Sequence, residues 1–118
     1  MKKILVAEDN DSNYVLMTYL LTKDFEFERA KNGQIAVDMV DNANYDLVLM
    51  DIKMPVMDGL QATRLIKERH PDLPVVALTA NAFDSDRTMA EQAGCSGFLS
   101  KPVNRDECMA VIKKLIGE

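Results

Sequence analysis

Histidine and cysteine are nearly missing from this chain of 118 residues, which has one histidine, His70, and two cysteines, Cys95 and Cys108. Two cysteines are too few for a disulfide scaffold, no CxxC pair occurs, and a structural zinc site lacks ligands. A reducing, cytoplasmic setting fits that usage. Long apolar runs are missing too, since none approaches the roughly 20 residues that a membrane helix needs. The start MKKILVAEDND opens on basic residues, but its apolar stretch, Ile4 to Ala7, stops at Glu8 and Asp9 and does not read as a signal peptide. No membrane contact is expected. Excess positive charge is also lacking. Fourteen basic residues face nineteen acidic ones, for a net charge of −5. That balance argues against a chain that lives by binding nucleic acid, where affinity comes from basic charge. There is no low-complexity tract, linker or sequence repeat.

What is present suffices for one core. Hydrophobic residues make up 47% and charged residues 28%, the balance of a soluble globule rather than a disordered chain. The length predicts one domain, 1–118, too short for two cores.

Two kinds of segment alternate. Ile4 to Ala7, Leu47 to Met50 and Val75 to Leu78 are short continuous apolar runs, as expected of strands buried on both faces of a parallel sheet. Phe25 to Ala30 alternates apolar and polar, and Gly97 to Ser100 is short, so both read as strands with less burial. Helical patterns lie between them. Leu16, Met17 and Leu20 keep helical spacing after Asp11 and Ser12, either of which could cap the helix. Ala36, Met39 and Val40 follow Gly33, and Ala62, Thr63 and Ile66 follow Asp58-Gly59. Asp84 to Ala93 is a weaker helix whose thin apolar face is Met89, Ala90 and Ala93. Cys108, Val111, Ile112 and Leu115 form one stripe of a last helix that Gly117 could end. The order is strand then helix, five times. It predicts an α/β fold with a parallel sheet between two helical layers.

In such sheets ligands bind beyond the carboxyl ends of the strands. There the sequence puts Glu8-Asp9, Asp51, Thr79-Ala80 and Lys101-Pro102. Singly each has a bland reading. Asp9 or Asp51 could be a helix cap or a solvated loop acid, Thr79 a strand-end hydroxyl, and Lys101 a surface charge. The methionines read as core filling, the cysteines as small apolar groups, and His70 as an exposed helix-end residue. Together, three carboxylates, a hydroxyl and an ammonium on one rim describe a chemistry. Clustered carboxylates repel unless a cation joins them. All-oxygen ligands suit a hard ion such as Mg²⁺ or Ca²⁺. An ionised Asp51 facing Mg²⁺ and Lys101 is a plausible nucleophile toward phosphorus, and Thr79 can hydrogen-bond a phosphoryl oxygen.

At these positions the sequence resembles the receiver domain of two-component response regulators, most closely the receivers of hybrid sensor histidine kinases. The resemblance rests on VAEDN, LVLMDIKMPVMDG, ALTA and FLSKP, with EDNDSN and ALTANAFDSDR pointing to the hybrid class. It implies a three-layer (βα)5 flavodoxin-like receiver fold with a five-stranded sheet in the order 2-1-3-4-5. It implies Asp51 as the phosphoacceptor, Glu8 and Asp9 with Asp51 and the Lys53 backbone carbonyl around Mg²⁺, and Lys101 as the active-site lysine. Thr79 and Phe98 match the switch pair. The Lys101-Pro102 bond is cis in relatives, and Gly59 matches a tight start to the third helix. Lys53 and Asn81 stand at positions that vary in that family and influence dephosphorylation. The implied function is a phosphorylation-dependent signalling switch rather than an enzyme with a separate substrate. Its partners would be a histidine kinase or a histidine phosphotransfer domain. A self-association or output contact would use the fourth helix, fifth strand and fifth helix. A haloacid-dehalogenase-type phosphatase would need an acid where Lys53 stands, and a cap. A flavodoxin-like flavin carrier would need a phosphate loop where Glu8-Asp9-Asn10-Asp11 would repel one.

Overall fold

The three continuous apolar runs become the central strands. The computed structural model describes residues 1–80 and 84–117. Its elements run β1 (Lys3–Ala7), α1 (Asp11–Leu21), β2 (Glu26–Ala30), α2 (Gly33–Asn42), β3 (Leu47–Asp51), α3 (Gly59–Arg69), β4 (Val75–Thr79), α4 (Asp84–Ala93), β5 (Gly97–Ser100) and α5 (Arg105–Ile116). The sheet is parallel throughout, in the order β2-β1-β3-β4-β5. β3 and β4 are buried along their whole length, while the edge strands β2 and β5 are only partly covered. This separates the continuous runs from the alternating one, as the patterns predict.

Strand side chains alternate between two faces. One set, with Ile4, Val6, Leu47, Leu49, Val76 and Leu78, packs on Met17 and Leu21 of α1 and Cys108, Met109 and Ile112 of α5. The other, with Leu5, Ala7, Val48 and Met50, packs on Ala36, Val37 and Val40 of α2 and Ala62 and Ile66 of α3. Ala77 meets Leu60 of α3 and Ala90 and Ala93 of α4 in a smaller cluster. Each fully buried aliphatic side chain contributes roughly 2 kcal/mol of transfer free energy.

Four expectations need correction. The N-cap of α1 is Asn10, not Asp11 or Ser12. Its Oδ1 accepts from the Asn13 N–H at 2.9 Å, and its own carbonyl already takes the Tyr14 N–H. Leu16 is 59% exposed and Met89 46% exposed, so neither lies on the core face of its helix. Strand β2 begins at Glu26, leaving Phe25 buried just before it. His70 is not simply exposed. It is the C-cap of α3, half-buried, with Nε2 at 2.8 Å from Asp41 Oδ1. Asn32, Asp58 and Asn104 cap α2, α3 and α5 in the same manner as Asn10. Gly117 ends α5 at φ 81°, a left-handed conformation that glycine adopts freely.

Candidate functional site

Register assembles the site. Ala7 pairs with Met50, so Glu8 and Asp51 follow side by side on adjacent strands. Asp51 pairs with Leu78, which puts Thr79 next on β4. Thr79 pairs with Ser100, and Lys101 follows. Parallel strands in this register end at one level, so the residue after each apolar run reaches the same rim. A cleft of about 260 Å³ forms there, lined by Glu8, Asp9, Asp51, Lys53, Thr79 and Lys101 among others. The convergence expected from the sequence is thus present.

The loop after β3 returns tightly. The Gly59 N–H donates to the Ile52 carbonyl at 2.7 Å, and a Cβ on Gly59 would lie 2.0 Å from the Asp51 carbonyl oxygen. Only glycine fits there, because the start of α3 abuts the backbone of the residue that lines the cleft. The loop also holds Val56 at φ 69°, a conformation that a β-branched residue rarely adopts.

Charge in the cleft is unbalanced. Glu8 is fully buried and Asp51 nearly so, while Asp9 is exposed. Lys101 Nζ donates to Glu8 Oε1 at 2.8 Å and to Asp51 Oδ2 at 3.2 Å. The Lys53 backbone N–H lies 3.3 Å from Asp51 Oδ1, and the Asn10 N–H 3.3 Å from Glu8 Oε2. Burial pushes the Glu8 carboxyl above its ordinary value, and neighbouring Asp51 adds to the rise against the opposing pull of Lys101. Burial works to lower the Lys101 ammonium, but its bonds to Glu8 and its attraction to Asp51 outweigh that and raise it. One carboxylate oxygen from each of Glu8, Asp9 and Asp51 falls within 4.8 Å of the others, the one group of this kind among the described residues. Such an all-oxygen set suits a hard divalent cation.

Thr79 is buried against the cleft, and Phe98, paired with Ala77 and so on the same sheet face as Thr79, lies half-buried among Leu60, Ala77, Ala90 and Ala93. The Arg87 guanidinium sits 5.4 Å from the Phe98 ring centroid. The Lys101-Pro102 bond is cis. Asn81 lies outside the described residues.

Comparison with known families and structures decides the assignment. The response regulator receiver domain matches residues 4–113. The chain belongs to the response regulator receiver domain family. Hybrid signal transduction histidine kinase M of Dictyostelium discoideum is 38% identical over 96% of this receiver, which spans 5% of that kinase's length. The receiver domain of sensor histidine kinase PA1611 from Pseudomonas aeruginosa PAO1 superposes with a TM-score of 0.92. It is 35% identical, with 99% of this chain and 98% of that one covered, and it holds a magnesium ion in its active-site cleft. The Saccharomyces cerevisiae receiver Ssk1, solved in complex with the histidine phosphotransfer protein Ypd1, superposes at 0.90 with 29% identity over 97% of this chain and 88% of that one. The receiver fold with sheet order 2-1-3-4-5 and membership of two-component phosphorelay systems are therefore established. No helix among the described residues is long and apolar enough to cross a membrane.

Two features of this receiver escape a reading of its sequence. One is the outward apolar face of α1, where Val15, Leu16 and Tyr19 stand exposed, Tyr19 at 76%. Its signal is present as a surplus. Residues 14–21 hold more apolar side chains than one helical face can bury. The other is Arg29, discussed below, which sequence alone cannot distinguish from a solvated charge on an edge strand.

Proposed function

We propose that this receiver accepts a phosphoryl group on Asp51 from a phosphohistidine donor and relays the change to the α4-β5-α5 face. The observation that carries it is the placement of Asp51: a nearly buried carboxylate, bonded by Lys101 at 3.2 Å, in a cleft shared with two further acids. An Asp51 oxygen attacks phosphorus, the P–N bond breaks, and its electron pair stays on the donor imidazole. Lys101 can follow the charge from carboxylate to phosphoryl oxygen. Mg²⁺ would be held by Glu8, Asp9, Asp51 and the Lys53 carbonyl, where it would neutralise phosphoryl charge. The added phosphoryl charge would draw the Thr79 hydroxyl, and Phe98 would fill the space that Thr79 leaves. A self-association or output contact on α4-β5-α5 would read that movement. No separate substrate is turned over, and the whole of 1–118 acts as one domain. The free Cys95 and Cys108 fit a cytoplasmic setting.

The donor, a histidine kinase or a histidine phosphotransfer domain, would dock on α1. A groove of about 470 Å³ is lined there by Leu16, Met17, Tyr19, Leu20, Pro102 and Val103, and it reaches Glu8 and Lys101 at the acceptor cleft. That continuity lets one partner cover the apolar face while its histidine enters the cleft.

The test is Asp51→Asn, which keeps the shape and removes the attacking charge. Labelling by a small acyl phosphate with Mg²⁺ should fall to background while the circular dichroism spectrum stays that of the parent. Normal incorporation in the variant overturns the assignment of the acceptor.

A further inference from the structure

Arginine on an edge strand ordinarily runs its stem along the surface and keeps its head in water. Arg29, the fourth residue of β2, does otherwise. Its side chain is only 16% exposed. Its Nε donates to the Glu8 carbonyl at 3.0 Å, its Nη1 meets Asp11 Oδ1 at 2.8 Å, and its guanidinium carbon lies 4.7 Å from the Tyr14 ring centroid. Its Nη2 is buried without a hydrogen-bond partner. An unmade buried hydrogen bond is costly, so a residue serving only to pack on Tyr14 would be better apolar. What the guanidinium gains is a hold on three points of one stretch, Glu8 to Tyr14.

That stretch carries the acidic pair. The Glu8 carbonyl belongs to the Glu8–Asp9 peptide unit, so the Arg29 bond fixes the plane from which the Asp9 side chain departs. From the same strand the Ala30 carbonyl accepts the Glu8 N–H at 3.0 Å. Glu8 is thereby held at both of its backbone polar groups by adjacent residues of β2. Asp11, the last acid of the run, is drawn to Arg29 and does not line the cleft.

We propose that Arg29 is a positioning residue for the metal site. It clamps the β1–α1 loop from β2 and sets where Glu8 and Asp9 present their oxygens to a divalent cation. The inference rests on the Mg²⁺ reading above. Charge and geometry act in opposite directions here. A nearby positive charge by itself weakens cation binding, whereas a rigid fork that preorganises the ligands strengthens it.

Mg²⁺ titration of the 118-residue chain by calorimetry, with amide hydrogen exchange of Asp9 and Asn10 in the metal-free protein, separates the two. Arg29→Met keeps the stem against Tyr14 and removes charge and fork, while Arg29→Lys keeps the charge alone. Both should weaken Mg²⁺ binding by about tenfold and speed exchange at Asp9 and Asn10. Tighter Mg²⁺ binding in Arg29→Met with parental affinity in Arg29→Lys would show a charge effect only and overturn the proposal. So would a lower melting temperature with unchanged Mg²⁺ affinity, the mark of a fold residue. If Arg29→Met fails to fold, Arg29→Lys decides. A parent that binds no Mg²⁺ overturns the metal reading and this inference with it, whereas a binding parent with unaffected variants overturns the inference alone.

Discussion

At the rim where the strands begin, acids and bases come in pairs close to water. Asp41 lies 2.6 Å from Arg69 Nη1 and 2.8 Å from His70 Nε2, tying the end of α2 to the end of α3. Lys3 reaches Glu28 at 3.4 Å, and the Tyr45 hydroxyl donates to the same carboxylate at 2.5 Å. Burial, then Glu28, pushes the Tyr45 phenol up to about 12. At the rim where the strands end, the buried Glu8 and Asp51 share Lys101, and the exposed Asp9 adds a third acid beside them. The backbone differs in the same sense. The turn after α4, at the first rim, uses Gly94 for its φ of 106°, while the loop after β3, at the second, sets Val56 at 69°. Exposed pairs each contribute little to stability, and a buried imbalance subtracts from it. The first rim is thus built to be quiet. The second stores unfavourable charge, which a divalent cation would relieve, and backbone strain at Val56.

The largest effect should follow from removing the Lys101 ammonium. Lys101→Met leaves Glu8 and Asp51 facing each other without a bonded cation. Glu8 can answer by binding a proton, which limits the cost to about 2 kcal/mol at neutral pH, or roughly 10 °C in melting temperature. Adding Glu8→Gln in the Lys101→Met background should recover most of it. Thermal melts of the three proteins check this. If the double variant melts with the single one, the buried repulsion is not what destabilises this rim.

Strain is the next difference. Val56 is 83% exposed, so its side chain gains little from packing. Val56→Asn puts a residue that tolerates the left-handed region at φ 69° and should raise stability by about 1 kcal/mol. At the quiet rim the sign reverses. Gly94→Ala adds a Cβ at φ 106°, 2.9 Å from Lys67 Cγ, and should lose a similar amount. Denaturant midpoints with unchanged slopes give both values. Equal signs would remove the contrast in backbone strain between the rims.

Much of this contrast was legible in the sequence and some was not. Apolar runs marked β1, β3 and β4, and the residue after each run marked the acidic rim, because parallel strands must end together. The sequence points to a cap of α1 one or two residues too late, since Asn10, Asp11 and Ser12 are all good caps and only the backbone chooses among them. The spacing puts Leu16 and Met89 inward because it shows a periodic face but not how wide the covering surface is. The Asp41–His70 clasp and the Arg29 clamp join residues 29 and 15 to 21 positions apart, and no local pattern announces such pairs.

The smallest effect is a matter of sign. His70, and after it Arg69, hold the Asp41 carboxyl below its ordinary 3.8. A depressed acid binds its proton later in the folded chain than in the unfolded one. Its contribution is therefore present above about pH 4 and fades as the pH falls through the folded value. Glu8 runs the other way. Its carboxyl is raised above 4.5, so the folded chain holds the proton longer. Relative stability at that group is highest below 4.5 and declines as the pH rises through the folded value. Subtracting the stability of Asp41→Asn from that of the parent should give a small difference that grows with pH across the acid range. Subtracting that of Glu8→Gln should give one that falls with pH over a range reaching higher. Chemical denaturation at steps from about pH 3 to pH 7 measures both slopes. Slopes of the same sign would mean that the buried rim is as well compensated as the exposed one, and the stored charge on which the proposed function draws would be gone.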